Sequence, residues 1–181
     1  TEFDEGIISF SPDGSTMYLT RARREPNAPT SVEIFTSTRS DAKWSAPQKL
    51  EITADTLSVY AHPAVSPDGN YLYFTSDMPG GQGGRDIWRI NLKDRVGSLE
   101  NLGEWINTPG DEMFPYMRTD SVMYFASDGH PGYGGLDIFR AELTKSGGWK
   151  VENMGRPVNS AADDFGITFE PGAERGFLSS N

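Results

Sequence analysis

The side chains best placed to do chemistry in this sequence are carboxylates, and they recur. Asp4-Glu5, Asp111-Glu112 and Asp163-Asp164 stand in matching places, Val59-Tyr60 fills that place in another copy, and His62 follows two residues later. Clustered like charges focus a potential that attracts cations, so a ring of these residues would suit a cationic peptide, an amine or a divalent ion. Two opposed carboxylates about 5–10 Å apart would instead suit glycoside hydrolysis. Carboxylates in such positions can equally cap the N–H groups of turns. Asp77, Asp86, Asp128 and Asp137 offer a weak Ca²⁺ alternative, because their spacing lacks the alternating Asp/Asn pattern of a known calcium loop.

Other chemistry finds less support. The two histidines are His62 and His130, and neither a Gly-x-Ser-x-Gly elbow nor a His-Glu-x-x-His pattern occurs. No catalytic residue is assigned, and an enzyme is not expected. The absence of cysteine excludes disulfides and thiolate metal sites. Gly80-Gly81-Gln82-Gly83-Gly84 and Gly132-Tyr133-Gly134-Gly135 could present N–H groups to an anion, but they lack the Lys and Ser/Thr of a phosphate loop. They read as turns that need positive φ and close backbone approach. In their place the first copy has Arg21-Ala22-Arg23-Arg24-Glu25-Pro26, which makes Arg21, Arg23 and Arg24 candidates for a partner-binding loop. Trp105 and Tyr133 are further candidate contacts.

The elements that must position these residues follow from a repeat. Ser11-Pro12-Asp13-Gly14 returns as Ser66-Pro67-Asp68-Gly69, each before an aromatic strand, and the aligned Tyr18, Tyr73, Tyr124 and Phe177 are 55, 51 and 53 residues apart. Asp86-Ile87-Trp88 matches Asp137-Ile138-Phe139, with Glu33-Ile34-Phe35 as the first copy. Asn101-Leu102-Gly103, Asn107-Thr108 and Asp111-Glu112 match Asn153-Met154-Gly155, Asn159-Ser160 and Asp163-Asp164 at a constant offset of 52. Ser-Pro-Asp-Gly suits a type I turn, and the flanking aromatic and β-branched residues suit strands. No window shows helical periodicity. Units of this length with about four strands predict an all-β propeller, with units at 1–58, 59–110, 111–162 and an incomplete 163–181. First strands surround the channel of a propeller, which would put the acidic pairs, Tyr60 and His62 at one channel mouth.

Composition agrees with many short elements: of 181 residues 36% are hydrophobic, 20 are Gly and 12 are Pro. A net charge of −10 disfavours nucleic acid, which needs clustered Lys and Arg. No apolar run approaches the roughly 18 residues of a membrane span, so membrane insertion by this segment is not expected. At three and a half units the chain is expected to be part of a larger propeller.

The run Ser66-Pro67-Asp68-Gly69 with Leu72-Tyr73-Phe74-Thr75-Ser76-Asp77 and Gly80-Gly81-Gln82-Gly83-Gly84-Arg85-Asp86-Ile87-Trp88 resembles the WD-like propeller repeat of TolB-type proteins. With Ile106-Asn107-Thr108-Pro109-Gly110-Asp111-Glu112 and Gly176-Phe177-Leu178-Ser179-Ser180-Asn181 added, it resembles the propeller of OmpA-family outer-membrane lipoproteins of Bacteroidetes, including the PorE-like component of the type IX secretion system. That resemblance implies a periplasmic, outer-membrane-associated, non-enzymatic interaction module without a cofactor, whose partners are envelope proteins. Peptidoglycan contact would belong to a separate domain. The competing expectation is a carbohydrate-active propeller, either a glycoside hydrolase or a Ca²⁺-stabilised sugar-binding module.

Overall fold

The computed structural model describes residues 3–23, 30–94 and 97–181, and none of these residues is helical. Their strands form four sheets. The first holds β1 (Phe3–Phe10), β2 (Thr16–Arg23), β3 (Ser31–Ser40), β4 (Lys43–Trp44) and β5 (Gln48–Lys49), the last two both paired with β3. The second is β6 (Tyr60–Val65), β7 (Tyr71–Ser76), β8 (Asp86–Asn91) and β9 (Glu100–Asn101). The third is β10 (Glu112–Thr119), β11 (Val122–Ser127), β12 (Asp137–Leu143) and β13 (Trp149–Asn153), and the fourth pairs β14 (Asp164–Phe169) with β15 (Gly176–Ser180). Pairing is antiparallel throughout, and the first strands β1, β6, β10 and β14 lie side by side. This is the arrangement of successive propeller blades.

Local chemistry explains the hairpins. In both Ser-Pro-Asp-Gly turns the glycine N–H donates to the serine carbonyl at 2.8 Å, with Gly14 at φ 68° and Gly69 at φ 70°. Positive φ there is why glycine ends the turn. Asp68 closes its turn by accepting from Ser66 Oγ (2.6 Å) and Asn70 N (2.9 Å).

The core lies between blades. Tyr18, Ile34, Leu72 and Phe74 cluster between the first and second sheets, and Ile87, Ile106, Met123 and Phe125 between the second and third. Burying each such side chain contributes about 1.5–3 kcal/mol. Short fourth strands are supplemented by side chains. Asn107 Oδ1 accepts from Ile87 N (2.8 Å), while its Nδ2 donates to Ile87 O (3.0 Å) and to Asn101 Oδ1 (2.9 Å). The amide thus pairs with both backbone groups of one residue, as a neighbouring strand would. Asn159 repeats the arrangement on Ile138 with Asn153.

Each inner strand carries a bulge at the same place. Register shifts occur between Ala61 and Ala64, Met113 and Tyr116, and Phe165 and Thr168, with His62, Phe114 and Gly166 at φ 51°, 55° and 65°. These residues stitch the ring: His62 N donates to Thr20 Oγ1 (3.0 Å) and Phe114 N to His62 Nδ1 (3.4 Å).

Candidate functional site

The three acidic entries and Val59-Tyr60 are structurally equivalent but do not form an open acidic ring. Glu112 is fully buried; Oε1 accepts from Ser127 Oγ (2.6 Å) and Thr108 Oγ1 (2.7 Å), and Oε2 from Thr108 N (2.7 Å). Burial pushes its carboxyl above the usual range, against the pull of those bonds. Asp164 is also buried and accepts from Ser160 N (2.6 Å). Burial opposes its ionisation, but hydrogen bonds from Ser180 and Ser160 outweigh it and hold the carboxyl below its ordinary value. Tyr60 fills the place with a buried phenol whose hydroxyl is 2.8 Å from Thr53 Oγ1. In the first blade Glu5 is partly exposed and pairs with Arg21, 2.5 Å away. Asp4 beside it is exposed. The expected acidic mouth is therefore corrected at Glu112, Asp164 and Tyr60, because cross-strand and turn partners consume them.

In the third and fourth blades the preceding acid of the pair joins two blades. Asp111 Oδ1 accepts from Arg85 N (2.8 Å) and its Oδ2 lies 3.3 Å from Arg85 Nη1. Asp163 Oδ1 accepts from Leu136 N (3.0 Å), the equivalent amide one blade later. Backbone bonds complete the staple, Glu112 N to Arg85 O (2.6 Å) and Asp164 N to Leu136 O (2.7 Å). The glycine loops lie against the same seam. A Cβ on Gly83 would stand 2.3 Å from Thr108 O, and one on Gly134 would stand 2.2 Å from Ala162 O.

The second acidic set is also structural. Asp77 and Asp128 accept from Val59 N and Asp111 N, each at 2.7 Å, tying the second strand of a blade to the entry of its first. Asp86 Oδ2 holds Gln82 N (2.5 Å) and Asn101 Nδ2 (2.9 Å), and Asp137 Oδ2 holds Tyr133 N (2.5 Å) and Gly134 N (3.2 Å). Among the described residues no three His, Asp or Glu side chains converge as metal ligands.

The basic segment needs correction too. Arg21 and Arg23 belong to β2, not to a loop. Arg21 pairs with Glu5 and its guanidinium lies 5.3 Å from the centre of the Phe35 ring. It occupies the register position of Ser76 and Ser127. Arg23 ends the strand exposed, and Arg24 lies outside the described residues.

The concave surface itself is largely apolar. A cleft of about 650 Å³ runs along the inner strands, walled by Ile7, Ile8, Phe114, Pro115, Tyr116 and Ile167, with Glu5 the one carboxylate in its wall among the described residues. Ile8 is 53% exposed. His62 stacks on Phe114 at 3.9 Å, and Phe114 on Phe165 at 5.0 Å. Burial, with the charge of Arg85 adding to it, lowers the His62 pKa to about 4. The partners that decide these roles, Thr108, Ser127, Asn107 and Asn159, were not singled out from sequence as site residues. The constant offset of 52 was the signal that could have found the last two.

No family model matches the chain, and no curated protein does. Solved structures do. TolB from Acinetobacter baumannii matches 98% of this chain and 43% of its own, with 15% identity and a TM-score of 0.57. One of two structurally analysed prolyl endopeptidases matches over 99% and 23%, with 15% identity and a TM-score of 0.60. A thermostable family-43 glycoside hydrolase matches over 96% and 63%, again at 15% identity, with a TM-score of 0.56. The chain thus spans less than two thirds of each of these structures, and the shared feature is a β-propeller fold.

Proposed function

We propose that this propeller is a non-enzymatic interaction scaffold of the periplasm, acting in an outer-membrane-associated or secretion assembly as the PorE-like, OmpA-family resemblance implies. One observation supports this reading above the others: Asp111, Glu112, Asp163 and Asp164 are spent on blade-to-blade, cross-strand and turn bonds, while the inner cleft offered for contact is largely apolar. An apolar, water-facing wall suits a protein partner.

The glycoside hydrolase reading draws on the likeness to the family-43 structure, but at this identity the likeness carries fold alone. It needs two opposed, available carboxylates. Glu5 faces the cleft already paired with Arg21, and Glu112 and Asp164 are buried. Cell fractionation tests the scaffold reading. The wild-type protein is expected in the outer-membrane fraction with cross-linked partners, and Ile8→Glu is expected to release it. Retention of Ile8→Glu in that fraction with unchanged cross-links, or hydrolysis of arabinan or xylan by the purified protein, would overturn the reading.

A further inference from the structure

Trp105 is 62% exposed on the turn between β9 and β10, and the fold does not require it there. Its neighbours Gly103 and Asn107 have counterparts in Gly155 and Asn159, whereas the residue matching Trp105 is Pro157. The turn is firmly held. Gly103 O accepts from Ile106 N (3.1 Å) and Asn107 N (2.9 Å), Ile106 is fully buried, and His130 Nε2 lies 2.8 Å from Ile106 O. A large apolar ring fixed in water on a rigid turn is a feature that calls for a ligand.

The surroundings define which ligand. The indole edge faces the β12–β13 hairpin, where a Cβ on Gly148 would lie 3.7 Å from Trp105 Nε1 and 3.9 Å from Thr144 Oγ1. Thr144 Oγ1 is 2.9 Å from both Gly148 O and Ser146 Oγ. With Glu104 and Lys150 these groups border a cleft of about 540 Å³ floored by the buried Trp149, a size common for small-ligand sites. Lys150 Nζ is paired with Glu152 at 2.5 Å and keeps further donors.

We propose that this cleft binds a pyranose unit of a glycan, its C–H face stacked on Trp105 and its hydroxyls bonded to Glu104, Thr144, Ser146 and Lys150. A pyranose has one apolar face and a rim of groups that both donate and accept. The cleft supplies one flat aromatic surface, and its rim holds a carboxylate, two hydroxyls and an ammonium. A protein hot spot would instead be ringed by residues that exclude water, but Glu104, Ser146 and Lys150 are themselves exposed. The site uses none of the residues on which the scaffold reading rests.

Isothermal titration calorimetry with cellotetraose, chitotetraose and maltotetraose tests the proposal. The wild-type protein is expected to give a saturable response to at least one of them. Trp105→Ala should weaken that response at least about tenfold, Trp105→Phe should restore part of it, and both variants should melt as the wild type does. No wild-type response to any of the three sugars, or an undiminished response in Trp105→Ala, would overturn it. Cross-linking of a protein at position 105 without a sugar response would assign the cleft to a protein and overturn it equally.

Discussion

His62 shows how one side chain couples the ring to pH. Its ring is stacked beneath Phe114 and accepts the Phe114 amide, so the folded state favours the neutral imidazole. With a folded pKa of about 4 and an ordinary value of 6.5, the unfolded chain binds more protons between those pH values. Stability therefore rises with pH across that window and is lost on acidification, by up to about 3 kcal/mol. Glu112 works in the opposite sense. Its raised pKa lets the folded state hold a proton longer, so stability falls as pH rises above the ordinary carboxyl range. His62→Phe separates the two, since Phe114 already occupies the equivalent bulge. Thermal melts from pH 7 to pH 4 should show a smaller loss in this variant than in the wild type, and an equal loss would contradict the assignment.

At the scale of elements, the blades depend on side chains that imitate backbone. Asn107→Ala should cost about 1–3 kcal/mol by orphaning the buried N–H of Ile87, whose C=O keeps the bond from Leu102 N (3.1 Å), and Asn107→Asp should cost at least as much because it sets a buried carboxylate against Ile87 O and Asn101 Oδ1. Urea denaturation reads both. Gly83→Ala should be similarly damaging, since its Cβ would meet the backbone of Thr108 and Pro109 in the segment leading into β10. The same elements show what could be read beforehand. The Ser-Pro-Asp-Gly turns, the aromatic strands and the need for glycine at close approach were legible because only certain residue types satisfy those backbone demands. The acidic entries were not, because a carboxylate that caps an amide and one that awaits a ligand look alike until the amide is located. Arg21 was misplaced for a different reason. Residue types alone align the segment with the glycine loops, whereas β2 runs on through Arg23 and puts Arg21 where later blades have Ser76 and Ser127.

At the scale of the molecule, blades meet through apolar seams reinforced at one rim by carboxylates. The fourth sheet ends on β15, where Phe177 is 70% exposed and Leu178 is also exposed; no further strand pairs with this edge among the described residues. Such an edge can template pairing with another chain. The central claim is that the paired acids brace blades and are not held in reserve for a ligand. Denaturation of Asp111→Ala, Asp163→Ala and the double variant tests it most directly. Each single change should cost about 1–2 kcal/mol, lowering the melting midpoint by several degrees, and the two should add because they act at different seams. Midpoints unchanged or raised, as expected when carboxylates held apart for binding are removed, would contradict it.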